Sequence, residues 1–155
     1  MLIRRFRAED GAGCAALFYE AVHVGAAEKY DAAQRRAWAP KVPDGAAFAE
    51  RLGAEHCFVA EDGEAIRGFM SLTPKGYLDM AFVAPDARGT GLADKLYAEI
   101  LRAARSTGLT YLAVDASAYA HPFFTRHGWT IHRAAEVERG GLAIPRYSMF
   151  LDLSG

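Results

Sequence analysis

Between Val83 and Ala93 the chain reads Val-Ala-Pro-Asp-Ala-Arg-Gly-Thr-Gly-Leu-Ala, and its residue types suit one task, the holding of phosphate. Gly89 and Gly91 remove side chains where a backbone must bend sharply and approach a ligand. A helix running on through Leu92 and Ala93 presents unpaired N–H groups and partial positive charge at its start, a cradle for a pyrophosphate. Arg88 adds a permanent positive charge beside it, Thr90 sits between the two glycines, and Ala93 is small enough for close approach. The plain alternative is a glycine-containing loop before an ordinary helix. A Walker loop is excluded, because no Gly-Lys followed by Ser or Thr occurs. A Rossmann fingerprint is also excluded, because the position three after Gly91 is Asp94.

A second chemical candidate lies just upstream. Asp79 interrupts the apolar run Tyr77 to Val83, and a carboxylate in such a strand needs a reason. Beside a cleft, partial desolvation would raise its pKa and improve it as a base; otherwise it pairs with an Arg or with backbone. Strand alternation groups Asp79 with Ala81 and Val83 on one face. Glu28 and His23 are further base candidates. Cys14 and Cys57 are too few and too far apart for a disulfide framework or a zinc site, so no metal is expected.

The elements that must position these groups follow from patterning. Residues 2–7 suit a strand, and Asp10 an N-cap for a helix carrying Ala15, Leu17, Phe18, Ala21 and Val22. An irregular stretch runs from His23 to Gly45, then a short helix over 46–53. Cys57 to Ala60 and Ala65 to Thr73 form a hairpin, and Tyr77 to Val83 a third strand. The strongest helix signal spans Gly91 to Thr107, with Leu92, Leu96, Ile100, Leu101 and Ala104 on one stripe. A strand at Tyr111 to Asp115, a helix over 119–127 and strands near 129–138 and 146–153 complete the order. One strand–helix–strand passage implies one parallel pair in an otherwise antiparallel sheet, a mixed α/β (α+β) fold in one domain, 1–155.

This order, with Arg88, Gly91 and Ala93 in the spacing Arg-x-x-Gly-x-Ala and Val83 and Pro85 upstream, resembles the GNAT superfamily of acyl-CoA-dependent N-acetyltransferases. The resemblance covers essentially the whole chain. It implies acetyl-CoA as co-substrate, with the backbone of Ala81, Phe82 and Val83 pairing with the pantetheine arm. It places the pyrophosphate on the amides of Arg88, Gly89, Thr90, Gly91, Leu92 and Ala93. It also implies that the two parallel strands splay apart at their C-terminal ends. Ser117 stands where the family often hydrogen-bonds pantetheine; a turn or helix-cap role is the alternative.

The sequence departs from the family at one position. Many members carry a Tyr in the penultimate helix as acid toward the departing thiolate, and here that position is Phe124, whose implied role is packing on the pantetheine. Tyr119, Tyr147 and His121 are candidate substitutes, although Tyr119 would point away if it and Phe124 shared one helix. Tyr30 and Trp38 could line a pocket for a small amine, or Trp38 could pack with Phe48 in a satellite core.

The expected activity is acetyl transfer to a primary amine of a small molecule. The alternatives are transfer to a protein N-terminus or lysine, or an acyl-CoA sensor without turnover. A formal net charge of −1, from 18 basic and 19 acidic residues with no basic run, argues against a nucleic-acid partner. No apolar run reaches the ~18 residues needed to cross a membrane. The N-terminus begins on an alternating segment without a signal-peptide pattern, so the cytoplasm is the expected compartment. The resemblance extends to a homodimer.

Overall fold

The computed structural model describes residues 1–154. Its strands are β1 (Leu2–Arg5), β2 (His56–Asp62), β3 (Ala65–Leu72), β4 (Tyr77–Val83), β5 (Tyr111–Ser117), β6 (Thr130–Arg139) and β7 (Leu142–Asp152). Its helices are α1 (Gly11–Glu20), α2 (Ala32–Trp38), α3 (Gly45–Gly53), α4 (Leu92–Ser106) and α5 (His121–Arg126). They build a seven-stranded sheet in the order β1-β2-β3-β4-β5-β7-β6. Among the described residues the only parallel neighbours are β4 and β5, paired at Tyr77 with Ala113 and Leu78 with Val114 and nowhere beyond. The expected splay is therefore present, and it begins immediately after Leu78.

β3 is buried from Gly68 to Leu72 because helices cover both faces of the sheet centre. Phe69 meets Phe48 of α3 on one side, while Gly68 lies against Leu92 and Leu96 of α4 on the other. The α4 stripe of Leu92, Leu96, Ile100 and Ala104 is buried as its spacing requires. No helix among the described residues is long and apolar enough to cross a membrane.

Several local expectations are corrected. The stretch from His23 to Gly45 is not wholly irregular. A π-helical turn at Ala21–Gly25 prolongs α1, and α2 follows. The start of α2 is a capping box, in which the Asp31 carboxylate accepts from the Gln34 amide at 2.7 Å and the Gln34 side chain accepts from the Asp31 amide at 3.0 Å. Asp10 does not cap α1 with its side chain. It accepts instead from the Arg7 amide at 2.7 Å and from two Arg4 nitrogens at 2.8 and 2.9 Å, tying β1 to the helix entrance. Arg4 holds the Asp10 carboxyl below the usual carboxylate range, against its burial.

Asp79 does not share a face with Ala81 and Val83. The β3–β4 register moves from Ser71–Met80 to Leu72–Leu78, leaving Asp79 as an extra residue in a β-bulge. The bulge turns its carboxylate toward α3, where Arg51 binds it.

Candidate active site

Where β4 and β5 part, two cavities meet. The first, about 340 Å³, lies between the sheet and the α1–α2 region. The second, about 500 Å³, runs along the C-terminal half of β4 to the start of α4. Five residues line both: Ala81, Phe82, Tyr119, Ala120 and Phe124.

The second cavity carries most of the residues expected to hold a coenzyme: Ala81, Phe82, Val83, Arg88, Gly89, Gly91, Leu92, Ala93 and Phe124 all line it. Beyond Leu78 the β5 side of β4 has no ladder partner, so its backbone faces the gap. Gly89 and Gly91 have φ of +78° and +84°, and a Cβ on either would meet nothing within 4 Å. Glycine is required there by backbone conformation, and the space in front stays open. Gly91 caps α4 without any side-chain hydrogen bond, so the first-turn amides remain for a ligand. Arg88 and Arg126 supply positive charge; Asp94 supplies a negative one, bound by Arg126 at 3.0 Å and His127 at 2.7 Å. These features fit a pyrophosphate-bearing chain.

Two expected coenzyme residues sit differently. The Thr90 hydroxyl donates back to the Ala87 carbonyl, and the residue does not line the cavity. Ser117 lines the first cavity, where its Oγ accepts from the Ala120 amide at 3.0 Å and fixes the turn into α5. Phe124 is 1% exposed and packs edge-on against Trp129 at 5.1 Å.

The first cavity has an aromatic wall that includes both expected pocket residues. Trp38 meets Tyr30 at 5.6 Å, Phe82 at 6.2 Å and Phe18 at 6.5 Å, so its partner is not Phe48. The Tyr30 hydroxyl accepts from the Ala118 amide at 2.6 Å and donates to the Pro145 carbonyl at 2.8 Å, pinning the wall to β7. Two ion pairs line the same cavity. Arg51 grips both Asp79 oxygens, at 2.9 and 2.7 Å. Arg146 meets Asp115 at 2.6 Å, and Tyr77 and Ser148 donate to the same carboxylate at 2.9 and 2.8 Å.

Two residues gain importance beyond the sequence reading. Tyr119 is not helical, because α5 begins at His121 with Pro122 in its first turn. It lies instead in the turn before α5, with the Arg88 guanidinium 5.0 Å from its ring centroid. Burial raises its pKa and Arg88 opposes the rise. The His121–Pro122 pair was the signal that could have placed it. Glu55, between α3 and β2, carries no such signal; a charged residue after a helix end reads as surface. Its Oε1 is buried without a hydrogen-bond partner, as is Ser71 Oγ. Burial first, then neighbouring Asp79, pushes the Glu55 carboxyl up to about 7. Of the other candidate acids, His121 packs its ring tilted against Tyr147 at 4.2 Å, and neither lines either of these two cavities.

An opened parallel pair beside an uncapped helix start is the architecture of a transferase that binds a long phosphorylated donor. A family model for the acetyltransferase (GNAT) domain matches residues 20–151, and the chain belongs to that family. It is an N-acetyltransferase. It is 31% identical over 147 residues to YafP of Escherichia coli (strain K12), described as an uncharacterized N-acetyltransferase, covering 95% of this chain and 93% of YafP. It is also similar to a GCN5-related N-acetyltransferase of Rhodopseudomonas palustris, named aminotransferase class-II, at 30% identity with a TM-score of 0.90. That match covers 98% of this chain and 95% of the other. Salmonella typhimurium yncA, a structure with its cofactor acetyl-CoA, shares the fold at 19% identity and a TM-score of 0.75, covering 100% and 95% of the two chains.

Proposed function

We propose that this chain moves an acetyl group from acetyl-CoA to the amine of a small molecule, by direct attack with both substrates bound. The observation that carries this reading is the junction of two cavities at the β4–β5 splay. Family membership and the acetyl-CoA in the yncA structure support the donor. The aromatic first cavity, small and bounded by Tyr30 and Trp38, favours a small acceptor over a polypeptide.

The thioester, when bound, supplies an acyl group on a good leaving thiolate. The chain's own residues do the rest. Ala81 to Val83 offer unpaired backbone along the donor arm, and the Arg88–Ala93 segment takes the pyrophosphate. An acceptor amine must lose a proton before it attacks. Asp79 is one of two carboxylates lining that cavity, and the carboxyl of Glu55 beside it is pushed up to about 7, where a proton acceptor is most useful. We assign proton uptake to this pair, through water, with Arg51 positioning Asp79. Of the five residues at the junction, Tyr119 alone carries a proton-donating side chain, so it takes the acid role that Phe124 cannot fill.

Thiol release from acetyl-CoA, followed with a panel of small amines and of peptides, tests the proposal. Acceleration by small amines is the expected outcome. CoA that raises the melting temperature while no amine accelerates release would leave a binding module instead of an enzyme.

A further inference from the structure

Resting on the reading of the first cavity as the acceptor site, we infer that the acceptor is a carboxylate-bearing amine of the amino-acid class. The inference comes from the charge left over in that cavity. Three guanidiniums line it, Arg51, Arg139 and Arg146, against two carboxylates, Asp79 and Asp115. Both carboxylates are already committed. Asp79 gives both oxygens to Arg51, and Asp115 accepts from Arg146, Tyr77 and Ser148.

Arg139 has no such partner. Its exposed side chain makes one hydrogen bond among the described residues, to the neighbouring Glu138 carbonyl at 3.4 Å, and no carboxylate among them lies within ion-pair reach of it. A planar guanidinium free at a cavity wall suits bidentate binding of a carboxylate. A polycationic acceptor such as a diamine would find every carboxylate of the wall taken and a third guanidinium repelling it. Arg139, the last residue of β6, lines the first cavity alone, whereas Tyr119 lines both. An amine held by its own carboxylate at Arg139 would keep its nitrogen inside this cavity, free to face the donor. The aromatic wall of Phe18, Tyr30 and Trp38 would then receive the side chain.

Calorimetric titration of the CoA-loaded protein tests this without turnover. The probes are free amino acids with apolar side chains, their carboxamides, and 1,4-diaminobutane. Free acids should bind, and both other groups should bind about tenfold more weakly or not at all. Arg139→Gln should erase the preference for acids over amides, and Arg139→Lys should restore part of it. Equal binding of acids and amides, tighter binding of the diamine, no binding by any free acid, or a preference unchanged in Arg139→Gln overturns the inference. Thiol release with the same panel is read separately. Acids that bind through Arg139 but are never acetylated would uphold carboxylate recognition at Arg139 and refute the proposed transfer reaction.

Discussion

Replacing Glu55 with Gln should stabilise the protein selectively at alkaline pH. Glu55 lies beside Asp79 and Ser71, and its pKa rises from an ordinary 4.5 to about 7, chiefly through burial. The folded state therefore holds this proton more tightly than the unfolded chain does. Its stabilising contribution is fully present below about pH 4.5 and is lost as pH rises through about 7. At about 1.4 kcal/mol per pKa unit the ceiling is roughly 3 kcal/mol. The side chain is only partly enclosed, and solvent screening reduces that to about 1–2 kcal/mol. Gln keeps the shape and cannot ionise. Relative to wild type, Glu55→Gln should therefore gain about 1–2 kcal/mol between about pH 5 and about pH 8. Urea unfolding followed by tryptophan fluorescence and by circular dichroism at both pH values measures the gap. A gap independent of pH, or one that shrinks toward alkaline pH, refutes the assignment of a buried, proton-holding Glu55.

Tyr119→Phe should lower kcat about a hundredfold with little change in KM for acetyl-CoA, as loss of an acid acting only on the leaving thiolate requires; steady-state thiol release measures both. Gly91→Ala should cost about 1 kcal/mol in urea unfolding, since φ is +84° and no contact compensates, and should also reduce the thermal shift produced by CoA. Gly68→Val should cost about 1–3 kcal/mol, because a Cβ there already lies 3.0 Å from Leu96, 3.2 Å from Val83 and 3.3 Å from Leu92. Asp10→Asn should destabilise by about 2–3 kcal/mol near neutral pH by leaving Arg4 underpaired. That cost should shrink in acid, because the lowered Asp10 pKa makes its contribution one that is lost as pH falls. Paired unfolding curves in acid and near neutrality show whether it does.

The lining of the second cavity was legible in the sequence because its signals are local. Gly89, Gly91 and the α4 stripe each report backbone geometry within a few residues, and the resemblance added the strand before them. The acceptor side depends on registers that local pattern does not encode. One extra residue in β4 turned Asp79 from its expected face to Arg51, which lies 28 positions earlier in the chain. Glu55 is notable only because three segments enclose it. The capping box at Asp31 and Gln34 was readable, yet α2 went unassigned because its seven residues include none that is buried. A helix over 119–127 takes in Tyr119 only by crossing the start that His121 and Pro122 signal.

The brief pairing of β4 with β5 also divides the sheet mechanically. Two residue pairs join a four-stranded half, β1 to β4, to a three-stranded half, β5 to β7. A donor arm lying along Ala81 to Val83 would act as a missing strand segment, stitching the halves where the chain itself does not. Binding would then be felt as cooperativity: the halves would unfold more nearly as one unit, and amide exchange along the splay would slow far beyond the atoms the donor touches. The opening proposed to admit the donor is thus also the seam that the donor would close.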